Sequence, residues 1–264
     1  MASQFSNDRG YKELALFAGA GGGILGTKLL GWRVVCAVEI DPYCREVLLR
    51  RQEEGAIEAF PIWDDVRTFD GKPWRGRVDV VTGGFPCPAF SKAGKGGGFQ
   101  QDPLFYEAIR VIRDCEPWAI LWENVEGFEK WRDYLRDEVE NLGYEWYDTR
   151  LNSLDFGIPQ NRPRYFNICI QGGMLPSSQY LWRIQGAEGE YIQRIQSLSE
   201  NAKGWWTPTV HSKEDWRVIY ADSRRMRSVN GMANRMDRLK AIGNGQVPLC
   251  VKVAWEILSK DSRT

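Results

Sequence analysis

The sequence predicts an α/β architecture: a doubly wound, mostly parallel sheet with a small second domain. Three observations lead there. Through the first two-thirds of the chain, short apolar runs alternate with helical patterns, as βαβ units require. The first run opens directly into Gly19-Ala20-Gly21-Gly22-Gly23, where missing side chains let a ligand approach the backbone at the start of a helix. The composition, 264 residues of which 43% are hydrophobic and 27% charged, belongs to a globular chain long enough for one large domain and one small.

Each element has a local justification. Leu14–Phe17 is an unbroken apolar strand, and the helix after its glycine loop is closed by Gly31. Val34–Val38 supplies the second strand, and Asp41-Pro42 reads as N-cap and first-turn proline of the helix that follows. Phe60–Trp63 and Val78–Thr82 are the third and fourth strands. Asp102-Pro103 repeats the cap and proline, with Phe105, Ile109 and Ile112 on one face. Trp118–Trp122 is the fifth strand. Trp131, Tyr134, Leu135, Val139 and Leu142 mark an amphipathic helix ending near Gly143, and Tyr165–Ile170 is a sixth strand. Pro248 begins a last helix, with Leu249, Val253 and Ile257 along one face, expected to pack back on the sheet.

From about Gly172 the pattern gives way to Gln, Ser, Gly and tryptophans, including Trp182, Trp205, Trp206 and Trp216. Residues 172–230 are therefore the expected small domain, its aromatics read first as a compact core and second as base-stacking groups. Residues 1–171 and 231–264 form the large one. The net charge is zero, but residues 201–264 carry 12 basic and 6 acidic side chains, a surplus that suits either a polyanion or a solvated surface. The six cysteines show neither metal-ligand spacing nor a disulfide framework, and with a single histidine, His211, no metal site is expected. No run of about 18 apolar residues occurs and the first residues are polar, so a soluble, cytoplasmic protein without a membrane partner is expected.

In an open parallel sheet, ligands bind beyond the carboxyl ends of the strands. The glycine loop lacks the full dinucleotide fingerprint, since position 24 is Ile, and alone it also fits a tight structural turn. Glu39 ends the second strand, where an acid suits ribose hydroxyls or merely solvates a surface, while Asp41 is the helix cap. Asp64 and Asp65 follow the third strand; either can accept from an amino group or solvate a loop. The fourth strand runs into Gly83-Gly84-Phe85-Pro86-Cys87-Pro88. Five of the cysteines read as small buried hydrophobes, but Cys87, held between two prolines at a strand's carboxyl end, has its sulfur where a substrate can reach it. Glu123, after Ala119-Ile120-Leu121-Trp122, is a carboxyl in apolar surroundings, which raise its pKa and suit it to donate a proton near neutrality.

In this order, the segments resemble the cytosine-5 DNA methyltransferases, which take a methyl group from S-adenosylmethionine. Phe17-Ala18-Gly19-Ala20-Gly21-Gly22 resembles their first cofactor motif, Gly84-Phe85-Pro86-Cys87 their nucleophile loop, and Glu123-Asn124-Val125 their ENV motif. Gln160-Asn161-Arg162-Pro163-Arg164 is similar to their Q-x-R-x-R, and Gly243-Asn244-Gly245-Gln246-Val247-Pro248 to their last motif. The resemblance spans about residues 12–170 and 231–260. Departures are Pro88 where the family often has Gln, and Asp102-Pro103-Leu104 for a more usual Gly-Thr-Leu.

The resemblance implies a Rossmann-like catalytic domain, a target-recognition domain at 172–230, and S-adenosylmethionine held by Phe17, Gly19, Gly21, Gly22, Glu39, Ile40, Asp65, Pro86, Leu104 and Asn244. Within it Glu39 takes the ribose, Ile40 lies against adenine and Asp65 accepts from the adenine amino group. Cys87 is the expected nucleophile, Glu123 the group at cytosine N3, Arg164 a cation at O2 and Arg162 a holder of the carboxylate or a phosphate. Ser91, Lys92, Lys95, Arg224, Arg225 and Arg227 are the expected phosphate contacts on double-stranded DNA, and Gly94–Gly98 a candidate lid. A monomer or weak dimer is expected. The competing readings are the same chemistry on RNA, a nicotinamide oxidoreductase that would leave Cys87 without a role, and a catalytically silent DNA binder that would be expected to lose Cys87 or Glu123.

Overall fold

Strands whose two faces are both apolar must be covered on both sides, and that requirement organises this chain. The structure is a computed structural model describing residues 10–84, 103–125, 127–156, 158, 161–172, 237, 241 and 245–258. β1 (Lys12–Leu16), β2 (Arg33–Val38), β3 (Ile62–Trp63), β4 (Val80–Gly83) and β5 (Ala119–Val125) are parallel to their neighbours, with β1 at the centre of this part. β6 (Tyr144–Asn152) and β7 (Pro163–Gln171) form an antiparallel pair, and β7 runs antiparallel to β5. The seven-stranded order is β3-β2-β1-β4-β5-β7-β6. Order reverses on either side of β1, which opens a crevice above its carboxyl end.

The helices cover both faces. On one face, Leu14, Leu16, Val81, Ile120 and Trp122 pack with Phe105, Ile109 and Ile112 of α3 (Pro103–Cys115) and with Leu135 and Val139 of α4 (Arg132–Glu140). On the other, Val80, Leu121, Ile168 and Ile170 meet Val251, Ala254 and Trp255 of α5 (Pro248–Leu258), while Ala15 and Ala37 meet Ile24 of α1 (Gly22–Lys28) and Leu48 of α2 (Pro42–Glu53). The last helix packs back on the sheet as expected, against α1, β6 and β7.

Local signals account for most boundaries. Asp41 caps α2, its carboxylate accepting from the backbone N–H of Tyr43 and Cys44 at 3.0 and 3.3 Å. After α1 the N–H of Trp32 reaches back to the Thr27 carbonyl and that of Gly31 to Lys28, a Schellman closure in which Gly31 takes φ 78°. The third strand is shorter than expected, only Ile62–Trp63, and pairs with β2 at the sheet edge. The sixth expected strand is β7. β6 was not anticipated: Tyr-Glu-Trp-Tyr-Asp-Thr-Arg-Leu-Asn lies at a sheet edge, half exposed, without apolar alternation. The region 172–230, with its tryptophans, lies outside the described residues except for Gly172.

α1 and α5 approach closely because Gly26 has no side chain. A Cβ there would lie 2.6 Å from Val251 Cβ and 2.7 Å from the Pro248 carbonyl oxygen. Gly26→Ala is therefore expected to destabilise the protein by about 1–3 kcal/mol through overpacking, despite alanine's better helix propensity. Thermal denaturation checks this, and an unchanged or raised Tm would mean the helices do not pack this closely.

Candidate active site

The carboxyl ends of β1 and β4 and the start of α1 meet Gly245 and Gln246 around an open pocket. Phe17, Gly19, Ile24, Thr82, Gly84 and Gln246 are among its walls. β1 leaves the sheet through Phe17, a non-glycine residue held at φ 51°, a conformation that L side chains rarely adopt and that clusters at functional sites. Glu39 fastens this loop. Its Oε2 accepts from the Gly19 N–H at 2.6 Å and its Oε1 from the Asp41 N–H at 2.7 Å, so it is a buried bracket between β1 and β2 as much as a free acceptor. Beside it Ile40 leaves 57% of its surface exposed, an apolar face with no described cover. Gly21 and Gly22 open α1.

Segment 245–247 closes the cavity from the far end of the chain. A Cβ on Gly22 would lie 2.2 Å from the Gln246 main-chain oxygen, one on Gly23 2.1 Å from Gln246 Oε1, and one on Gly84 3.0 Å from Gln246 Nε2. Glycines from two loops thus make the seat for one glutamine. The sequence reading took Asn244 from this motif and passed over Gln246; the available signal was a polar side chain between Gly245 and Val247-Pro248.

Glu123, on β5, is 6% exposed. The Arg164 guanidinium stands over it, Nε 2.9 Å from Oε1, because Arg164 lies opposite Val125 in the β5–β7 register, diagonal to Glu123 on the same face. Burial outweighs this cation and the more distant Arg162, and the carboxyl is pushed up to about 6. Gly84 passes alongside: a Cβ there would lie 3.1 Å from Glu123 Oε2. The chain that leads to Cys87 therefore starts next to the buried acid.

Other expected site residues are placed less simply. Arg162 acts on Glu123 as a nearby cation, and its Nη2 donates to the Gly245 carbonyl at 2.6 Å, tying β7 to the closing segment. Asp65 is gripped by Arg67, whose Nε lies 2.9 Å from Oδ1 and whose Nη2 lies 2.6 Å from Oδ2, and these bonds hold its carboxyl below the usual range. Leu104, in the first turn of α3, packs against the core. Cys36, Cys44, Cys115, Cys169 and Cys250 are buried free thiols, as expected, with burial pushing Cys36, Cys115 and Cys250 up to about 12. Pro86, Cys87, Ser91, Lys92, Lys95, Arg224, Arg225, Arg227 and Asn244 lie outside the described residues, as do the candidate lid Gly94–Gly98 and Asp102. Among the described residues no group of His, Cys, Asp or Glu could hold a metal ion, and no helix is long and apolar enough to cross a membrane.

The sheet order, its final antiparallel pair and the glycine loop above β1 define the Rossmann-like α/β fold of S-adenosylmethionine-dependent methyltransferases. A DNMT2 variant from Spodoptera frugiperda shares that fold, with TM-score 0.61 at 14% identity over 95% of this chain and all of that one. A putative DNA modification methyltransferase encoded within an E. coli prophage superposes with TM-score 0.52 at 25% identity, over 64% of this chain and 49% of that one. The type II methyltransferase M.NgoMIV of Neisseria gonorrhoeae is 38% identical over 168 residues, 61% of this chain and 52% of the relative. The family model for C-5 cytosine-specific DNA methylases matches residues 11–248, and the chain belongs to that family. It spans about half the length of the curated relatives it matches.

The glutamine seat predicts a double-mutant result. Gly23→Ala collides with the end of a flexible side chain, so Gln246→Ala should restore most of the stability it loses. Gly22→Ala collides with main chain and should lose about 1–3 kcal/mol whether or not Gln246 is truncated. Melting temperatures of the three single variants and of the two doubles with Gln246→Ala check both, and rescue of Gly22→Ala would place the obstruction elsewhere.

Proposed function

We propose that this protein methylates C5 of cytosine in duplex DNA with S-adenosylmethionine as donor, through covalent addition of Cys87 to C6 of a flipped-out base. The observation that carries the reading is Glu123: a carboxyl buried at the end of β5, paired with Arg164 and flanked by the residue from which the Cys87 segment departs.

The cavity fits the cofactor on its own terms. Side chains are absent at Gly19 and Gly84, two of its walls, and near it Ile40 offers an apolar face next to the Glu39 carboxylate. Phe17, Gly19, Gly21, Gly22, Glu39, Ile40 and Leu104, with Pro86 and Asn244, are the residues proposed to hold it. Asp65 joins them as acceptor for the adenine amino group, with Arg67 fixing its orientation. When bound, the cofactor supplies an electrophilic methyl group.

Cytosine C5 is too weak a nucleophile to take up that methyl group unaided. Cys87 adds its sulfur to C6 while neutral Glu123 donates a hydrogen bond to N3, and the two together push electron density onto C5. After methylation, loss of the C5 proton to water expels the sulfur and restores the ring. A cysteine is only a few per cent thiolate at neutral pH, and the Arg162 and Arg164 cations provide a field that favours the ionised form. Arg164 stands at the carboxylate and is proposed to reach the base's O2 from there. Flipping the target costs a few kcal/mol. Contacts from Ser91, Lys92, Lys95, Arg224, Arg225 and Arg227 to phosphates, and a recognition domain at 172–230, are proposed to meet that cost and to make binding fall with salt.

Incubation of the protein with labelled S-adenosylmethionine and either mixed-sequence duplex DNA or tRNA, followed by nucleoside analysis, tests the reading. Label is expected in 5-methyldeoxycytidine from DNA, and Cys87→Ser is expected to abolish it. Label in tRNA would move the substrate to RNA, and transfer by Cys87→Ser would refute the nucleophile. Glu123→Gln should slow transfer by about 10²–10⁴. Because the Glu123 carboxyl is raised to about 6, its neutral form recedes as pH rises above that value. Single-turnover transfer should therefore weaken toward alkaline pH wherever it is limited by this proton, and the Glu123→Gln variant should lack that limb.

A further inference from the structure

Glu13 is completely buried, yet it belongs to neither the cofactor loop nor the site of base chemistry. It sits in β1 at a position where both faces of the sheet are covered by apolar groups, and the carboxyl points to the side occupied by α1. Thr82 of β4 and Thr27 of α1 meet it there: the Thr82 hydroxyl bonds Oε1 and the Thr27 hydroxyl bonds Oε2. The Thr27 hydroxyl also donates to the Ile24 carbonyl, at 3.1 Å. Thr82 and Ile24 are both walls of the cavity. One chain of hydrogen bonds, Thr82, Glu13, Thr27, Ile24, therefore runs beneath it from β4 to α1.

The protons in that chain can be counted. A threonine hydroxyl carries one hydrogen, and the Thr27 oxygen lies within bonding distance of two acceptors, the Glu13 carboxyl and the Ile24 carbonyl. It can donate to only one of them at a time, so both contacts are satisfied together when the carboxyl supplies the second hydrogen. With Glu13 protonated, Glu13 donates to Thr27, Thr27 to Ile24, and Thr82 to Glu13, and every group is satisfied. With Glu13 ionised, Thr27 must turn its hydrogen to the carboxylate and abandon Ile24, and a buried charge is left with two neutral donors.

Among the described residues no neighbouring cation offsets that charge. Lys28 of α1 is exposed and donates to the Ala56 carbonyl, Arg33 lies at the exposed start of β2, and Lys252 of α5 pairs with Glu256. Asp79, before β4, accepts from the Lys12 N–H. Burial acts against the charged form and only the two hydroxyls act for it, which leaves Glu13 at about 7.

We propose that Glu13 is a positioning residue for the cofactor: as an uncharged acid it ties β4 and α1 into one floor under the cavity, and loss of its proton loosens that floor and weakens cofactor binding. This rests on reading the cavity as the S-adenosylmethionine site. Gln at position 13 would reproduce the neutral pattern permanently, its amide N–H donating to Thr27 and its carbonyl accepting from Thr82.

Calorimetric titration of the full chain with S-adenosylmethionine between pH 6 and 8.5 tests the proposal, comparing wild type, Glu13→Gln and Thr27→Val. Titration of the ligand itself is common to all three and cancels. Above the midpoint, wild-type affinity should fall by up to about tenfold per pH unit relative to Glu13→Gln, the limit for one linked proton. Thr27→Val removes the link from Glu13 to α1 in either protonation state, so its affinity should already be low at pH 6 and should lack the wild-type decline. Equal pH slopes in wild type and Glu13→Gln would overturn the proposal while leaving the cofactor site intact, as would a wild-type decline in Thr27→Val. Absence of wild-type binding at every pH would instead overturn the cofactor reading, and this proposal with it.

Discussion

The site exists because the end of the chain returns to within an atom's width of its beginning. Gln246 occupies the space that side chains on Gly22, Gly23 and Gly84 would need, and Arg162 holds the adjoining Gly245 by its carbonyl. Without that return the cavity above β1 would be an open crevice between the glycine loop and β4. With it, a segment distant in sequence becomes one wall of the pocket and α5 is anchored along α1. The glycines thus serve close approach more than turning: at Gly22 even a methyl group would strike main chain.

Two buried carboxyls flank this junction, and their surroundings divide their work. Glu123 has a guanidinium 2.9 Å away and a wall of the cavity beside it, so its charge is partly tolerated and its proton lies near the reacting groups of the proposed chemistry. Glu13 faces two hydroxyls and no cation among the described residues, and its value is raised further, to about 7 against about 6. The difference follows from desolvation acting on both while a cation offsets it at only one. One acid suits proton donation at a substrate, the other suits a neutral link within the fold.

The parallel half of the sheet was legible because its strands are buried on both faces and read as continuous apolar runs, bounded by markers such as Asp41-Pro42 and Gly31. β6 was not, since a half-exposed edge strand carries no such run and is recruited by pairing with β7. At the site, Glu39 and Glu123 could be picked out from their place after apolar strands. Their partners could not, because the Gly19 amide and the Arg164 guanidinium reach them only through the packing of separate strands. Arg162 shows the same limit: its bond to the Gly245 carbonyl joins β7 to a segment far along the chain.

Residue types and their order were sufficient to determine the fold class, the strand ends at which chemistry is gathered and the family to which the chain belongs, since each is written in local patterns of apolar runs, caps and short motifs. Only the tertiary structure decided that Gln246 is a wall of the cavity, that Arg164 stands over Glu123, and that Glu13 is sealed between two threonines. These depend on distances between elements far apart in sequence and on the water excluded when they close. Neither is a property of any one segment, so neither is visible until the segments are packed.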